Sequence, residues 1–247
     1  MVIPSKIVLV LIFMLALFSA QSSWAQISQK ETERAAELLA TFLNAGRVIV
    51  ERNQSVINDP GKGDKGFTPE VFEQQVLEEF FRQTDIDLRG TSSLPTITQG
   101  LLTRLLHASK EVVADAQFVI NQRGIGYKNF IPATFGSQAA RKFSNRSHVT
   151  LKQTTLNPRN AKNAPDAYEE HILKRLATQP ASSTSIMEWI EEGQTLRMLI
   201  PIYYSHDCLA CHGHPKGILD ISGYPREGAR EGDLAGAISV QIPAGGP

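Results

Sequence analysis

The segment SHDCLACHGHPKG, residues 205–217, contains both cysteines of the 247-residue chain. Cys208 and Cys211 are separated by two residues, and His212 follows to complete a Cys-x-x-Cys-His sequence. This sequence is the signature of covalent haem c attachment. Two intervening residues let one turn of chain bring the thiols to vinyl groups on adjacent pyrrole rings. The next side chain, His212, then points under the iron as the proximal ligand.

Three other chemistries use cysteine pairs, and each fits this segment less well. A disulfide between Cys208 and Cys211 would close a very small loop, which restrains the unfolded chain little. A structural zinc site needs four ligands. His206 or His214 would have to complete the set, and the adjacent Cys211 and His212 would crowd one tetrahedral centre. A thiol redox pair normally belongs to a βαβ unit, which is not evident here. A zinc or thiol binding module stays as an alternative.

The sequence leaves the sixth ligand of the iron open. Both thiols are used in attachment, so the side-chain candidates are His148, which opens a predicted strand, and Met198, which shares a strand face with Leu196 and Ile200. Core packing is the commoner role for such a methionine, and an empty or water-filled position is a third option. Haem propionates are often bound by arginine, for which the candidates are Arg47, Arg52, Arg141, Arg146 and Arg159.

The N-terminus has the pattern of a secretory signal peptide. Lys6 precedes an apolar run at residues 7–18, and small residues precede a cleavage site after Ala25. The run is shorter than the ~20 residues that span a bilayer. We predict a signal peptide at residues 1–25 and a mature domain at residues 26–247. We expect export to the periplasm or thylakoid lumen without stable membrane insertion, with an uncleaved N-terminal anchor as the alternative.

The overall charge carries no sign of a nucleic-acid partner. The chain has 25 basic and 25 acidic side chains, so its formal net charge is zero. Nucleic-acid binding usually leaves a basic patch or stripe, and the sequence shows none. The length is that of one domain, or of one domain with an added element.

The first half of the mature chain has helical apolar spacing, and the second half alternates like strands. Helices are predicted at residues 28–58, from Thr68 to about Gln83, and at about 98–122. Strands are predicted in GYKNFIP, in HVTLKQTT, in the hairpin SIMEWIEEGQTLRMLIPIYY and in LAGAISVQIP, with a short helix in NAPDAYEEHILKRLAT. Helices followed by about five strands indicate an α+β fold, with helices packed on an antiparallel sheet.

Longer motifs accompany the cysteine pair: GRVIVERNQSVINDPGKGDKGFTPEVF, FIPATFG, LKQTTLNPRNAKNAPDAYE, and CLACHGHPKG followed by GDLAGAISVQIP. Together they resemble the cyanobacterial haem c proteins with a PAS-like domain. That family was formerly a domain of unknown function, and it also supplies the sensing domain of some histidine kinases. The resemblance covers nearly all of the mature chain.

The resemblance implies a PAS-like antiparallel sheet of about five strands, with long N-terminal helices closing a haem pocket. It implies one covalent haem c on Cys208 and Cys211, His212 as the proximal ligand, and Arg47 in the pocket wall on the distal side. The chain has no third cysteine, so it differs from members that use a distal thiolate.

The function that follows is an extracytoplasmic redox or gas-responsive sensor with covalent haem, read by a separate redox or signalling protein. A ligand shifts such a sensor by binding one of its states more tightly than the other. The alternatives are a single-haem electron-transfer protein and a haem peroxidase-like enzyme, which would need an acid–base group at the iron. We expect no enzymatic activity.

Overall fold

The computed structural model describes residues 28–90, 93–180 and 184–244, and in them a helical half precedes the sheet. The helices are α1 (Gln29–Arg52), α2 (Gln54–Ile57), α3 (Pro69–Thr84), α4 (Thr96–Ile120), α5 (Pro132–Ser144), α6 (Ala167–Ala177) and α7 (Leu209–His212). The strands are β1 (Thr150–Thr154), β2 (Ile186–Ile190), β3 (Thr195–Tyr203) and β4 (Leu234–Pro243). Two short 3₁₀ turns cover Ala161–Asn163 and His206–Cys208.

Helix α1 begins where the sequence supplies a complete cap. The Ser28 hydroxyl accepts from the Glu31 amide at 3.2 Å, and the Glu31 carboxylate accepts from the Ser28 amide at 3.0 Å. This reciprocal capping box satisfies two donors that a helix start otherwise leaves unpaired. The helix packs against α3, α4, α5 and the sheet, so it forms the centre of the main hydrophobic core.

The sheet is antiparallel, with the strand order β1-β4-β3-β2. Because side chains alternate along a strand, its two faces pack against different helices. Met198, Ile238 and Val240 point into the main core beside α1, whereas Leu199 and Ala237 join a second cluster with α6. Strand β3 ends at Tyr203 and leads directly into the cysteine motif, which therefore lies at one end of the sheet.

These findings confirm the predicted α+β class with an antiparallel sheet, but the described residues hold four strands where about five were expected. The segment GYKNFIP is not a strand in the structure. Its aromatic and β-branched residues suggested one, but Pro132 occupies the first turn of α5 and Ile131 is the preceding cap. The predicted signal peptide lies outside the described residues. Among the residues described, no helix has the length and apolarity required to cross a membrane.

A buried carboxylate joins α1 to α3. Glu79, whose side chain is 2% exposed, accepts from Arg52 at 2.8 Å and from Arg82 at 2.5 Å. Burial raises the pKa of Glu79, but hydrogen bonds from Arg82, Gln83 and Arg52 outweigh it and lower the pKa to about 2 from 4.5. A depressed folded-state pKa means that the carboxylate adds stability above the unfolded pKa and loses it as the pH falls toward 2.

We therefore expect Glu79→Gln to lower the free energy of unfolding at pH 7 by about 1–3 kcal/mol, a range reduced for the exposure of both arginines. The deficit should shrink between about pH 5 and pH 2, because the wild-type carboxylate becomes protonated there. Urea unfolding at pH 7 and pH 3 measures both effects. Glu37→Gln is the control, because Glu37 pairs with Arg34 on the surface. An equal deficit at both pH values would contradict the prediction.

Candidate functional site

The two cysteines and the histidine share one tight helical turn after β3. The Cys208 amide donates to the Ser205 carbonyl at 3.1 Å, and the Gly213 amide donates to the Leu209 carbonyl at 2.9 Å. A Cβ at Gly213 would lie 2.6 Å from that same carbonyl oxygen, so only glycine can end the turn in this way. Residues three apart on a helical turn are neighbours. Cys208 and Cys211 are thus close together as free, half-buried thiols.

The imidazole of His212 is held by a carboxylate from a later loop. Its Nδ1 atom lies 2.8 Å from Oε2 of Glu227. Burial raises the pKa of Glu227, but hydrogen bonds from Arg159 and His212 outweigh it and hold the pKa below its ordinary value. An ionised carboxylate only accepts hydrogen bonds, so the proton of the neutral imidazole lies on Nδ1. Nε2, which has no hydrogen-bond partner among the described residues, is left with its lone pair.

Tyr204 packs against the same imidazole. The two ring centroids are 4.9 Å apart, and the phenol oxygen is 3.5 Å from Nδ1. Burial and the Glu227 carboxylate raise the pKa of Tyr204 to about 12, so the phenol stays protonated near neutral pH. The backbone is also fixed, because the His212 carbonyl accepts from the Ala229 amide at 2.8 Å.

Arg159 binds the carboxylate of Glu227. Its guanidinium donates to both Glu227 oxygens at 2.7 and 2.9 Å, to Asp220 at 2.6 Å and to the Cys211 carbonyl at 2.9 Å. The Asp220 side chain is fully buried. Burial raises the pKa of Asp220, but hydrogen bonds from Ser222, Arg159 and Tyr224 outweigh it and lower the pKa well below its ordinary value.

The Cys208 side of the turn faces helix α1. The Ser205 hydroxyl lies 3.2 Å from the Cys208 sulfur and donates to Glu51 at 3.0 Å. One turn earlier on α1, Arg47 donates from one terminal nitrogen to Asn44 at 3.1 Å, whereas its buried Nε has no partner among the described residues. Burial lowers the pKa of Arg47, and Cys208 and Glu51 oppose that shift.

A short hairpin at residues 217–226, here called the apolar arm, follows the motif. The Gly217 amide donates to the Arg226 carbonyl and the Asp220 amide to the Tyr224 carbonyl, both at 2.9 Å. The arm exposes four large apolar side chains, each 45–69% exposed: Ile218, Leu219, Ile221 and Tyr224. Such a cluster of exposed apolar side chains usually marks a binding surface.

A small cavity lies beside Tyr204 and Glu227, the two side chains that contact Nδ1 of His212. Its volume is about 240 Å³, and its lining includes Tyr204, Glu227 and Leu173. This volume is below the roughly 300–1,000 Å³ of pockets for drug-sized ligands. The cavity is therefore small for a tetrapyrrole, and Nε2 is the ring nitrogen of His212 that is free to bind a large ligand.

Comparison with known proteins gives the family. The family model for Tll0287-like proteins, described as Tll0287, matches residues 25–243. The chain belongs to the Tll0287-like family.

A search of solved structures finds a crystal structure described as the cyanobacterial heme-protein Tll0287. It is 19% identical to this chain, and the match covers 60% of this chain and 95% of that one, with a TM-score of 0.42. No curated protein matches the chain. The family relationship therefore rests on the family model.

The structure places neither predicted sixth ligand beside His212. His148 is exposed before β1, where Thr150 pairs with Gln241 and Gln241 pairs with Arg197. Arg197 is six residues from Tyr203, where β3 ends next to the motif, and six residues of strand span about 20 Å. His148 therefore lies near the opposite end of the sheet from the motif. Met198 is fully buried in the middle of the sheet, facing the helical core. Its position is that of a core residue, so the geometry favours neither side chain.

The other histidines and arginines named from the sequence are exposed or already engaged. His206 and His214, the candidate zinc ligands, are exposed, as are His107 and His171. Among the arginines, Arg52 pairs with Glu79 and Arg146 with Glu111, whereas Arg141 is exposed. Residues 28–90, 93–180 and 184–244 contain no group of three or more His, Cys, Asp or Glu side chains arranged to hold a metal ion. The zinc alternative therefore gains no support.

Sequence reasoning missed Glu227, Tyr204 and the role of Arg159. The sequence marks none of these roles, because each depends on a contact that only folding creates. The cysteine motif and its surroundings suit haem c in three ways. Two adjacent free thiols can form thioethers, Nε2 has a lone pair for iron, and the unpartnered Arg47 Nε can donate to an anionic group such as a propionate.

Proposed function

We propose that this chain is an exported c-type haem protein with one haem on Cys208 and Cys211 and with His212 as proximal ligand. The observation that carries the proposal is the bond between Nδ1 of His212 and Glu227 at 2.8 Å. Metal-binding histidines commonly donate their other ring N–H to a carboxylate, which fixes the tautomer and the ring orientation. Tll0287, whose name the matching family model carries, is described as a cyanobacterial heme-protein, in agreement with this proposal.

When bound, haem supplies an iron centre that changes oxidation state and can accept an external ligand. The chain's own residues would hold that centre. Glu227 keeps the proton on Nδ1, and the buried Nε of Arg47 can donate to an anionic group.

We propose that the haem serves as a redox or gas-responsive sensor. The support is the link between the motif and α1, because the Ser205 hydroxyl contacts both Cys208 and Glu51. Helix α1 packs against α3, α4, α5 and the sheet, so a displacement of the motif would reach most of the core. A separate redox or signalling protein would read that change. Electron transfer is the second candidate, favoured by the exposed apolar arm as a docking surface.

The first experiment is an optical spectrum of the exported protein, oxidised and reduced, with and without carbon monoxide, after a denaturing test for covalent haem. We expect the haem to survive denaturation. Haem that is lost on denaturation, or never present, would refute the attachment. Low-spin spectra that ignore carbon monoxide would favour redox sensing or electron transfer, whereas carbon monoxide binding would favour gas sensing.

Hydrogen exchange separates the sensor from the carrier. A sensor should change amide protection in α1 near Arg47 and Glu51 when its iron is reduced or takes a ligand, because those states must differ in structure. An electron carrier should keep the same protection in both oxidation states.

N-terminal sequencing of the exported protein tests the compartment: a mature chain starting at Gln26 supports the signal peptide, and an intact Met1 supports the anchor.

A further inference from the structure

We propose that Arg159 is the positioning residue of the haem site: it clamps Glu227 against His212 and locks the apolar arm to the backbone of Cys211. The inference rests on the proposed haem function and extends it, because it assigns the control of the proximal ligand to a residue 53 positions away in sequence. Arg159 touches neither the thiols nor the imidazole, so it acts through the groups that do.

The contacts of Arg159 occupy almost all of its hydrogen-bonding capacity. A guanidinium has five N–H donors. Four hydrogen bonds leave it: two to Glu227, one to Asp220 and one to the Cys211 carbonyl. Its charge also lies 5.4 Å from the ring centre of Tyr224 in the apolar arm. Arg159 therefore connects Glu227, the apolar arm and the backbone of Cys211. With four of its five donors used, it is a poor candidate for binding a propionate.

The charges show why an arginine is needed. Asp220 is fully buried and Glu227 is half-buried, so two carboxylates in low dielectric face one guanidinium. An unpaired buried carboxylate is strongly unfavourable. The planar fork binds Glu227 through two parallel bonds and still reaches Asp220 and a carbonyl, which a lysine ammonium cannot do with the same geometry.

This arrangement affects how strongly the Nε2 lone pair of His212 binds iron. Glu227 accepts from Nδ1 and thereby makes the imidazole more electron-rich at Nε2. A more electron-rich axial ligand stabilises ferric iron relative to ferrous iron, which lowers the midpoint potential. Because Arg159 binds both oxygens of Glu227, it holds that carboxylate within hydrogen-bonding distance of Nδ1. Weakening the contacts between Arg159 and Glu227 should therefore raise the midpoint potential.

The test compares Glu227→Gln, Arg159→Lys and the double variant, using the holoprotein. We expect Glu227→Gln to move the ferric–ferrous equilibrium about tenfold toward ferrous, equal to about 59 mV for one electron. Arg159→Lys should move it several-fold in the same direction and keep a charge for Asp220, so that the fold survives. Arg175→Lys is the matched control, because Arg175 pairs with Glu188 on the surface. It should leave the potential unchanged.

Non-additivity decides whether Arg159 acts through Glu227. If it does, the double variant should shift the equilibrium no further than Glu227→Gln alone. An unchanged potential in Arg159→Lys, or a double variant equal to the combined single effects, would overturn the proposal. A purely structural role for Arg159 would lower stability without moving the potential.

A separate measurement distinguishes this inference from the haem assignment. In ¹⁵N-labelled protein, the Nδ1–H proton of His212 should be protected from exchange, and Arg159→Lys should lose that protection at least tenfold. If no covalent haem is found but the proton behaves in this way, the haem assignment is refuted and the positioning role of Arg159 is supported. If haem is present and the proton exchanges freely in wild type, only the positioning role of Arg159 is refuted.

Discussion

Replacing both Cys208 and Cys211 with serine is expected to remove all haem that survives denaturation. In attachment, each thiol adds its sulfur and its hydrogen across one vinyl double bond. The reactive species is the thiolate, and a serine hydroxyl is too weak a nucleophile to replace it. The chain has no other cysteine, so no third thiol can substitute.

The single variants give a sharper test than the double one. Cys208→Ser and Cys211→Ser should each keep one thioether and leave one vinyl group intact, which the absorption maximum of the denatured ferrous haem reports. Ala210→Ser is the matched control, because residue 210 is exposed within the same motif and its substitution leaves the Cys-x-x-Cys-His spacing unchanged. Covalent haem in the double variant would place the attachment elsewhere and refute the assignment.

The loss of haem should not be confused with unfolding. Both cysteines are half-buried at the end of the sheet, outside the main hydrophobic core. Serine differs from cysteine by one atom, so the helical content of the double variant should match that of wild type. Circular dichroism checks this before the haem is measured.

The sequence predicted what local spacing controls. The Cys-x-x-Cys-His turn, the start of α3 at Pro69, the hairpin of β2 and β3, and the final strand all follow from neighbouring residues. Helix α5 was missed because the residues just before it, Phe130 and Ile131, look like the end of a strand by composition. In the structure Pro132 begins a helix there, as its fixed φ angle allows.

The supporting residues of the site were beyond the reach of the sequence. Glu227 contacts His212 from 15 residues away, and Arg159 contacts Glu227 from 68 residues away. Glu227 belongs to no motif, and although Arg159 lies in LKQTTLNPRNAKNAPDAYE, nothing in that motif links it to Glu227. Glutamate and arginine are, in addition, usually surface residues. The positions of the sixth-ligand candidates were also beyond local spacing: chemical type suggested His148 and Met198, and the register of the sheet places one far from the motif and the other in the core.

Helix α1 packs at Gly46, the residue before Arg47, against a close aromatic cluster, and Phe72→Ala should disrupt this packing. Phe72 is fully buried in α3, with ring centroids 5.1 Å from Phe135 and 6.3 Å from Phe67. Gly46 of α1 lies against the same rings, and a Cβ there would be 2.7 Å from Phe135 and 3.3 Å from Phe72. Because Gly46 has no side chain, this position of α1 cannot fill the space that Phe72 vacates.

We therefore expect Phe72→Ala to lower the free energy of unfolding by about 3–5 kcal/mol, the usual cost of truncating a buried phenylalanine. For a domain of this size that corresponds to a fall in Tm of roughly 6–20 °C. The matched control is Phe118→Ala on α4, whose ring is 82% exposed, and its effect should stay within about 0.5 kcal/mol. Equal losses in the two variants would mean that the cluster does not support α1, and then Arg47 would not owe its position to this packing.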